Sequence, residues 1–276
     1  MRLRNHRYTP WCAALLALLL ASGCAMTTVR EHPDFASQAR QVKNVAVLPS
    51  DVEVLLLVLT GDNERLLEDE QNAKTTLSEA LPDLLEQRGY QVRKTSADEL
   101  GQIVKDANFT IEQAKNAYKD VSKQLYERGM VEEEEAKKFR VSIGPIGAAV
   151  AEALNADAFL FTRYAGFKKS EGLIAKEVVS GALLGALTGV VVIPAPSGGS
   201  LEMALIDGHS GDVLWTNRGG GGAAVPTVLA KNLLVKLPAA GIVAEKEKAA
   251  ALAKTALVAE KEKNEGGALP SSDVTP

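Results

Sequence analysis

The sequence predicts an α/β (α+β) domain with a mixed sheet and a C-terminal β-hairpin, packed by helices, plus a helical insertion and a helical C-terminal tail. The short apolar run 45–48 and the bulky, aromatic run 157–164 predict strands. Between them, leucines return at three- and four-residue spacings, which predicts helices. Two further strand-like runs, 201–206 and 213–216, flank a turn-rich tip and predict the hairpin. The expected folded domain covers residues 44–238.

Residues 1–23 have the plan of a secretory signal peptide. Three arginines precede an apolar run over 11–21, and the small residues Ser22 and Gly23 follow it. The run of about 11 residues is too short to span a bilayer as a helix, which needs roughly 20. We therefore predict cleavage after Gly23, which makes Cys24 the first residue of the mature chain.

Residues 21–24 resemble a bacterial lipobox, although leucine is commoner than alanine at its first position. The resemblance implies that Cys24 receives a diacylglyceryl group on its sulfur and an acyl group, typically palmitate, on its new amino terminus. Several acyl chains hold a protein on a membrane where one is marginal. Ala25, which is not aspartate, implies sorting to the outer membrane on its periplasmic side. An ordinary signal peptide with a cysteine nearby is the alternative.

Composition excludes several classes of function. Residues 1–23 hold three of the 31 basic residues and none of the 35 acidic ones, so the mature chain is more acidic than the whole chain, whose formal charge is −4. An acidic chain without a basic cluster does not suit nucleic acid. Because Cys12 leaves with the signal peptide and Cys24 carries lipid, we expect no disulfide.

The remaining segments suggest appendages around the domain. Residues 24–43 are polar and predict a tether between membrane and domain. A helix is predicted over 64–88, broken or kinked at Pro82. Residues 108–140 predict a charged helical insertion, and residues 239–276 an Ala/Lys/Glu helix followed by a disordered tail.

Residues 173–195 form a Gly-rich apolar segment. Gly181, Gly185 and Gly189 would share one helical face and allow close approach of another helix, so they are candidates for self-association. The apolar core of this segment, the 16 residues 178–193, would extend about 24 Å as a helix, short of the roughly 30 Å of a bilayer core. We favour packing on the chain itself or on a neighbouring subunit, with membrane insertion as the alternative.

No pattern for catalysis, a cofactor or a metal is evident. His209 and Ser210 superficially resemble a nucleophile elbow, but Asp212 replaces its second glycine and both flanks are strands, so a plain turn is expected. The glycines at 219–222 lack the lysine of a phosphate loop and suggest a flexible exit from the hairpin. We predict no catalytic residues, no cofactor and no metal site.

The order of elements resembles the α/β fold of curli-secretion-channel subunits and of the lipoprotein activators of penicillin-binding proteins. The matching words are 44–49, 81–92, 155–161 and 205–215. These proteins have a characteristic hairpin motif, and the residues that match it are Asp207, Ser210, Gly211 and Trp215. The resemblance implies a non-enzymatic module that binds or assembles another envelope protein. The alternative that it implies is a subunit of an oligomeric outer-membrane secretion channel.

Overall fold

A computed structural model describes residues 26–38, 42–94, 97–106, 111–188 and 194–240. The strands are β1 (Met26–Thr27), β2 (Arg30–Glu31), β3 (Asn44–Val47), β4 (Asp51–Leu57), β5 (Glu64–Arg65), β6 (Gln91–Lys94), β7 (Val131–Glu132), β8 (Ala158–Lys169), β9 (Ser197–Asp207) and β10 (Val213–Gly222). The helices are α1 (Phe35–Gln38), α2 (Leu67–Glu86), α3 (Ala97–Asp106), α4 (Ile111–Tyr126), α5 (Glu133–Ala136), α6 (Pro145–Ala153), α7 (Glu171–Thr188) and α8 (Pro226–Leu234).

An eight-stranded mixed sheet forms the centre of the fold, which confirms the predicted α/β class. Its main order is β2-β10-β9-β8-β3-β6, with β4 on β8 and β5 on β4. The first part of β8 pairs in parallel with β3, and its second part pairs in parallel with β4. Pro49 lies between β3 and β4, where its missing N–H interrupts the ladder. β1 and β7 form a separate two-stranded sheet.

Alternation along the strands divides the interior into two cores, one on each face of the sheet. Val45 and Val47 belong to the first core, whereas Ala46 and Leu48 belong to the second. The first core lies beneath α2 and α8, and the second beneath α4 and α6. A sheet covered by helices on both faces explains why its strands read as nearly continuous apolar runs.

Helix α2 docks on the first core through one stripe of side chains. Its buried stripe consists of Ala73, Leu77, Leu81 and Leu85. Of the predicted kink or break at Pro82, the break is wrong, because α2 runs through this residue to Glu86, and the kink stays a prediction. Pro82 itself is buried in the helix.

The C-terminal hairpin is present and is longer than the sequence indicates. β9 and β10 pair antiparallel from Val213–Ile206 to Gly222–Gly198. The glycines at 219–222 therefore belong to a strand, and the prediction of a flexible exit is wrong. They lack the side chains that make a strand recognisable, but their backbones pair in register with residues 198–201.

The described part of the predicted tether is packed into the fold. Arg30 and Glu31 form β2 on the edge of β10, and Phe35 lies in the first core. Arg30 is 1% exposed, and its guanidinium donates to the carbonyls of Leu125 (2.9 Å) and Gly129. Burial lowers the pKa of Arg30. A tether over the whole of 24–43 is therefore wrong, because residues 26–38 contribute to the sheet and its core.

The predicted insertion at 108–140 contains α4, β7 and α5 within the described ranges, and α4 supplies part of the second core. The predicted signal peptide lies outside the described residues, as do Cys24 and the tail beyond residue 240. Within the described ranges, no helix combines the length and apolarity needed to cross a membrane.

Candidate functional site on the open face of the sheet

The long strands β8, β9 and β10 extend beyond the helices that cover the second core. Under α4, Phe161, Ala204 and Thr216 form one row across the three strands. The aromatic rings of Phe161 and Tyr118 pack here at a tilt, with centroids 4.6 Å apart. Side chains two residues further along each strand point in the same direction. They therefore lie on the same face of the sheet, which is open past this row.

The first open row consists of charged residues. Arg163 of β8 pairs in register with Glu202 of β9, and Glu202 pairs with Arg218 of β10. We call these three residues the charged row. In the next row the residues are small: Ala165, Ser200 and Gly220. Together with Thr28 and Gly219, the two rows line an open cavity of about 450 Å³.

Helix α4 holds the middle of the charged row in place. The hydroxyl of Tyr118 lies 2.6 Å from Oε1 of Glu202 and donates to it. The Tyr118 hydroxyl is also 3.1 Å from Oγ1 of Thr216, which in turn is 3.2 Å from the Tyr126 hydroxyl. Glu202 is thus oriented by a buried network, while its carboxylate faces the half-exposed edge of the cavity.

Burial raises the pKa of the Tyr118 hydroxyl well above its usual range, and the nearby charge of Glu202 raises it further. Burial also raises the pKa of Tyr126. Both phenols therefore remain protonated at neutral pH, and Tyr118 can act as a permanent hydrogen-bond donor to Glu202. A phenol with a raised pKa is a poor general base, so this network favours positioning over catalysis.

The two arginines of the charged row have different supports. The guanidinium of Arg218 lies over the Tyr126 ring, 4.0 Å from its centroid. The Nε of Arg163 lies 3.9 Å from one carboxylate oxygen of Asp51. The other oxygen of Asp51 lies 3.7 Å from the ammonium of Lys115. Stacking on an aromatic ring leaves the hydrogen-bonding edge of a guanidinium available. The row therefore presents one cation on each side of one oriented carboxylate.

Helix α7 is a second unusual surface. Val179 is 70% exposed and Leu183 is 67% exposed, and no α7 residue whose burial the structure describes belongs to either core. Near its start, the Lys169 ammonium lies 2.6 Å from Glu177 and fixes the first turns to the end of β8. Large exposed apolar patches on a protein usually mark a surface that something else covers.

The candidate self-association residues fall on this helix only in part. Gly181 and Gly185 lie on α7, and Gly181 is buried. Gly189 lies outside the described residues, and so do Gly23 and Cys24. The predicted self-association therefore stays a prediction, as do the lipidation and cleavage sites.

The hairpin tip has the geometry of a turn. One carboxylate oxygen of Asp207 accepts hydrogen bonds from the backbone N–H of His209 (3.1 Å) and from the backbone N–H and hydroxyl of Ser210 (both 2.8 Å). The Ser210 hydroxyl is thus committed to Asp207, and the His209 side chain is 73% exposed. Across the described ranges, no group of three His, Cys, Asp or Glu side chains could hold a metal ion.

Sequence reasoning missed the charged row. Its signal is a charged residue inside each of two strands that are otherwise apolar, Arg163 in β8 and Glu202 in β9. Only the register between strands shows that these residues are neighbours and that Arg218 joins them. The sequence alone does not specify that register.

Comparisons with known proteins give similarities to solved structures only. No protein-family model matches this chain, and no curated protein matches it. The LpoB C-terminal domain from Salmonella enterica is 10% identical with a TM-score of 0.30, covering 68% of this chain and 93% of that one. A PelC dodecamer from Paraburkholderia phytofirmans is 13% identical with a TM-score of 0.30, covering 71% and 86%.

Lipoprotein GNA1162 from Neisseria meningitidis is 12% identical with a TM-score of 0.28, covering 77% of this chain and 96% of that one. The expected likeness is found among these three solved structures, of which the Neisseria protein is itself named a lipoprotein. At such TM-scores the likeness carries no conclusion about function, which has to come from the surfaces described above.

Proposed function

We propose that this chain is a lipoprotein of the outer membrane, anchored through Cys24 on the periplasmic side, whose folded domain binds another envelope protein and catalyses no reaction. The observation that carries the binding part is the charged row on the open face of the sheet. A sheet in this class of fold is normally covered on both faces, so an open half-face is a surface available to a partner.

The geometry of the row defines the chemistry of that partner. Arg163 and Arg218 flank Glu202, and the small residues of the next row leave space beside them. The best complement is a protein segment that brings carboxylates to the two guanidinium groups and a donor to Glu202. Paired, pre-oriented charges of this kind give specificity and register.

Photo-crosslinking in the producing bacterium tests the proposal. A photoreactive amino acid at Ser200, which is exposed beside the charged row, should give one discrete crosslinked product with another envelope protein. Reversing one cation by Arg218→Glu should abolish that product. A matched probe at Glu79, exposed on α2 at the other face of the sheet, should not give it.

A product that survives Arg218→Glu, or that appears equally from Glu79, would contradict binding through the charged row. Crosslinks between copies of this chain in a closed ring would instead favour the secretion-channel subunit. Self-association through Gly181, Gly185 and Gly189 would appear as a dimer lost in Gly185→Leu.

The anchor is tested by membrane fractionation. The parent chain should be found with the outer membrane, and the Cys24→Ala variant should leave it. A variant that stays in the same membrane fraction would contradict the lipid anchor.

A further inference from the structure

The exposed apolar side chains of α7 lie in its second part, which carries no charge. Val178, Val179 and Leu183 are 49%, 70% and 67% exposed. The sequence has no charged residue from 178 to 193. An apolar helix left in water forgoes the burial that stabilises most protein helices, so a non-aqueous environment is expected to cover it.

Both ends of the segment that contains α7 are fixed at one end of the central sheet. The backbone N–H of Lys169 donates to the carbonyl of Pro196 (2.8 Å), and that of Ser170 donates to the carbonyl of Leu57 (2.9 Å). At this end β8 finishes, β9 begins and β10 finishes at Gly222. We call it the glycine end. The hairpin tip at 208–211 is the opposite end.

The start of the chain also points toward the glycine end. β2 runs antiparallel to β10, with Glu31 opposite Trp215 and Arg30 opposite Thr216. Followed backward from Arg30 to Thr28, the chain therefore moves in the direction of Gly222, and Met26 and Thr27 then pair with β7. The Thr28 hydroxyl lies 2.8 Å from Oδ1 of Asn217, and Thr28 lines the cavity beside Gly219 and Gly220.

The length of chain before Thr28 limits how far from it the predicted lipidation site can lie. Cys24 is four residues before Thr28, and four residues span at most about 14 Å even when fully extended. Because residues 26–38 are packed into the fold, no long tether separates the anchor from the domain. Asn217, beside Thr28, lies about 17 Å along β10 from Gly222 and about 20 Å from the hairpin tip, so the direction of the chain before Arg30, more than distance, favours the glycine end.

We propose that α7 inserts into the membrane leaflet that holds the acyl chains of Cys24. This inference rests on the proposed lipid anchor. The anchor brings the glycine end to the bilayer surface, and α7 is the apolar element that leaves the sheet at that end. Its 18 residues extend about 27 Å, so it enters the leaflet without crossing the bilayer.

A second copy of the chain is the competing occupant of this surface. An interface between two copies would use Gly181 for close helix contact. Gly181 is buried in the structure, so it is not available to a second copy. The exposed residues of α7 include the large apolar side chains of Val179 and Leu183, as suits contact with lipid. Insertion also orients the domain, with the hairpin tip in the periplasm and the charged row about five residues, or 15 Å, from the glycine end.

Depth-dependent fluorescence quenching tests the insertion on the full acylated chain. The chain is reconstituted in vesicles of phosphatidylethanolamine and phosphatidylglycerol that contain a lipid with a doxyl quencher on its acyl chain. A fluorophore is attached through Leu183→Cys or, as the matched control at the other end, through His209→Cys. The acylated Cys24 has no free thiol, so the label is placed at one position.

The label at 183 should be quenched at least about twofold, because it lies among acyl chains, and the label at 209 should be unaffected. An acylated, vesicle-bound chain in which both labels are equally accessible to water overturns the insertion alone. A disulfide formed with an added oxidant between unlabelled Leu183→Cys copies, with no quenching of the labelled chain by lipid, also overturns it. A chain whose Cys24 carries no acyl group by mass spectrometry overturns the anchor and the insertion together.

Discussion

Helices α2 and α7 are similar in length, at 20 and 18 residues, but they have opposite relations to the core. α2 is rich in charge, and it buries Leu77, Leu81 and Leu85 completely against the sheet. α7 is mostly apolar, and Val179 and Leu183 lie exposed. The more hydrophobic helix is therefore the one that exposes several large apolar side chains.

The difference shows that the pattern of apolar residues, more than their number, fits a helix to a water-soluble core. α2 presents one apolar stripe to the sheet and polar residues to water. α7 is apolar around its circumference between 178 and 188 and has no polar face for water. A helix of this kind is typical of a core or a membrane, and α7 is outside both cores.

The largest expected effect compares the same substitution in the two helices. Leu81→Ala removes a side chain that is 0% exposed in α2 and should cost about 2–5 kcal/mol of unfolding free energy. Leu183→Ala in α7 should change it by less than about 0.5 kcal/mol in water. Urea denaturation of the unacylated Cys24→Ala chain measures both. Equal losses in the two variants would show that α7 is packed in the soluble domain.

A third helix, α4, both covers the second core and orients the charged row. Tyr118→Phe removes the donor to the carboxylate of Glu202 and should cost about 1.5 kcal/mol, since hydrogen bonds to charged groups are stronger than neutral ones. Tyr126→Phe, which loses only the bond to Thr216, should cost about 1 kcal/mol or less. Thermal unfolding monitored by circular dichroism checks the order, and a reversed order would contradict it.

Docking of α2 is also expected to depend on pH through Glu70. This carboxylate is 3% exposed, and hydrogen bonds from Arg65 at 2.7 and 2.9 Å hold its pKa below the usual range. A carboxyl with a lowered folded pKa stabilises the fold above its unfolded pKa of about 4.3, and this stability is lost as pH falls through the folded pKa.

The parent chain should thus lose stability below about pH 4.3 more steeply than Glu70→Gln. Unfolding midpoints measured along an acid series give the comparison. Glu68→Gln, an exposed neighbour on the same helix, should follow the parent. Identical acid profiles for the parent and Glu70→Gln would contradict a role of the Glu70–Arg65 pair.

The smallest effect is expected from removing α7 entirely. The segment 171–194 connects β8 to β9, which pair directly from Lys168–Ser197 onward. Replacing the segment by a short Gly-Ser linker should leave a folded domain and change its unfolding free energy by less than about 1 kcal/mol. Loss of the cooperative unfolding transition would show that α7 supports the core.

Periodicity predicted the strands, the hairpin and most helices, because each of these elements carries its own local pattern. The packed N-terminal segment could not be predicted this way. The burial of Arg30 depends on carbonyls of Leu125 and Gly129, almost a hundred residues away in the chain. The glycines at 219–222 were misread because a strand without side chains has no alternating pattern.

Of the two surfaces that carry the functional proposals, one has a local sequence pattern and the other depends on contacts between distant residues. The apolar segment at 173–195 was evident from composition, and the structure adds that α7 is exposed. The charged row was invisible, because it is created by the register of three strands. Sequence therefore indicated the unusual helix, whereas only the fold revealed the open face of the sheet.

Hydrogen–deuterium exchange of α2 and α7 tests the membrane role of α7 most directly. In the unacylated Cys24→Ala chain in buffer, α7 should exchange much faster than α2, because few buried contacts oppose its opening. In the acylated chain on vesicles, exchange in α7 should slow toward that of α2, while α2 itself stays unchanged. An α7 that exchanges equally fast with and without the membrane, or that is already as protected as α2 in buffer, would contradict the account.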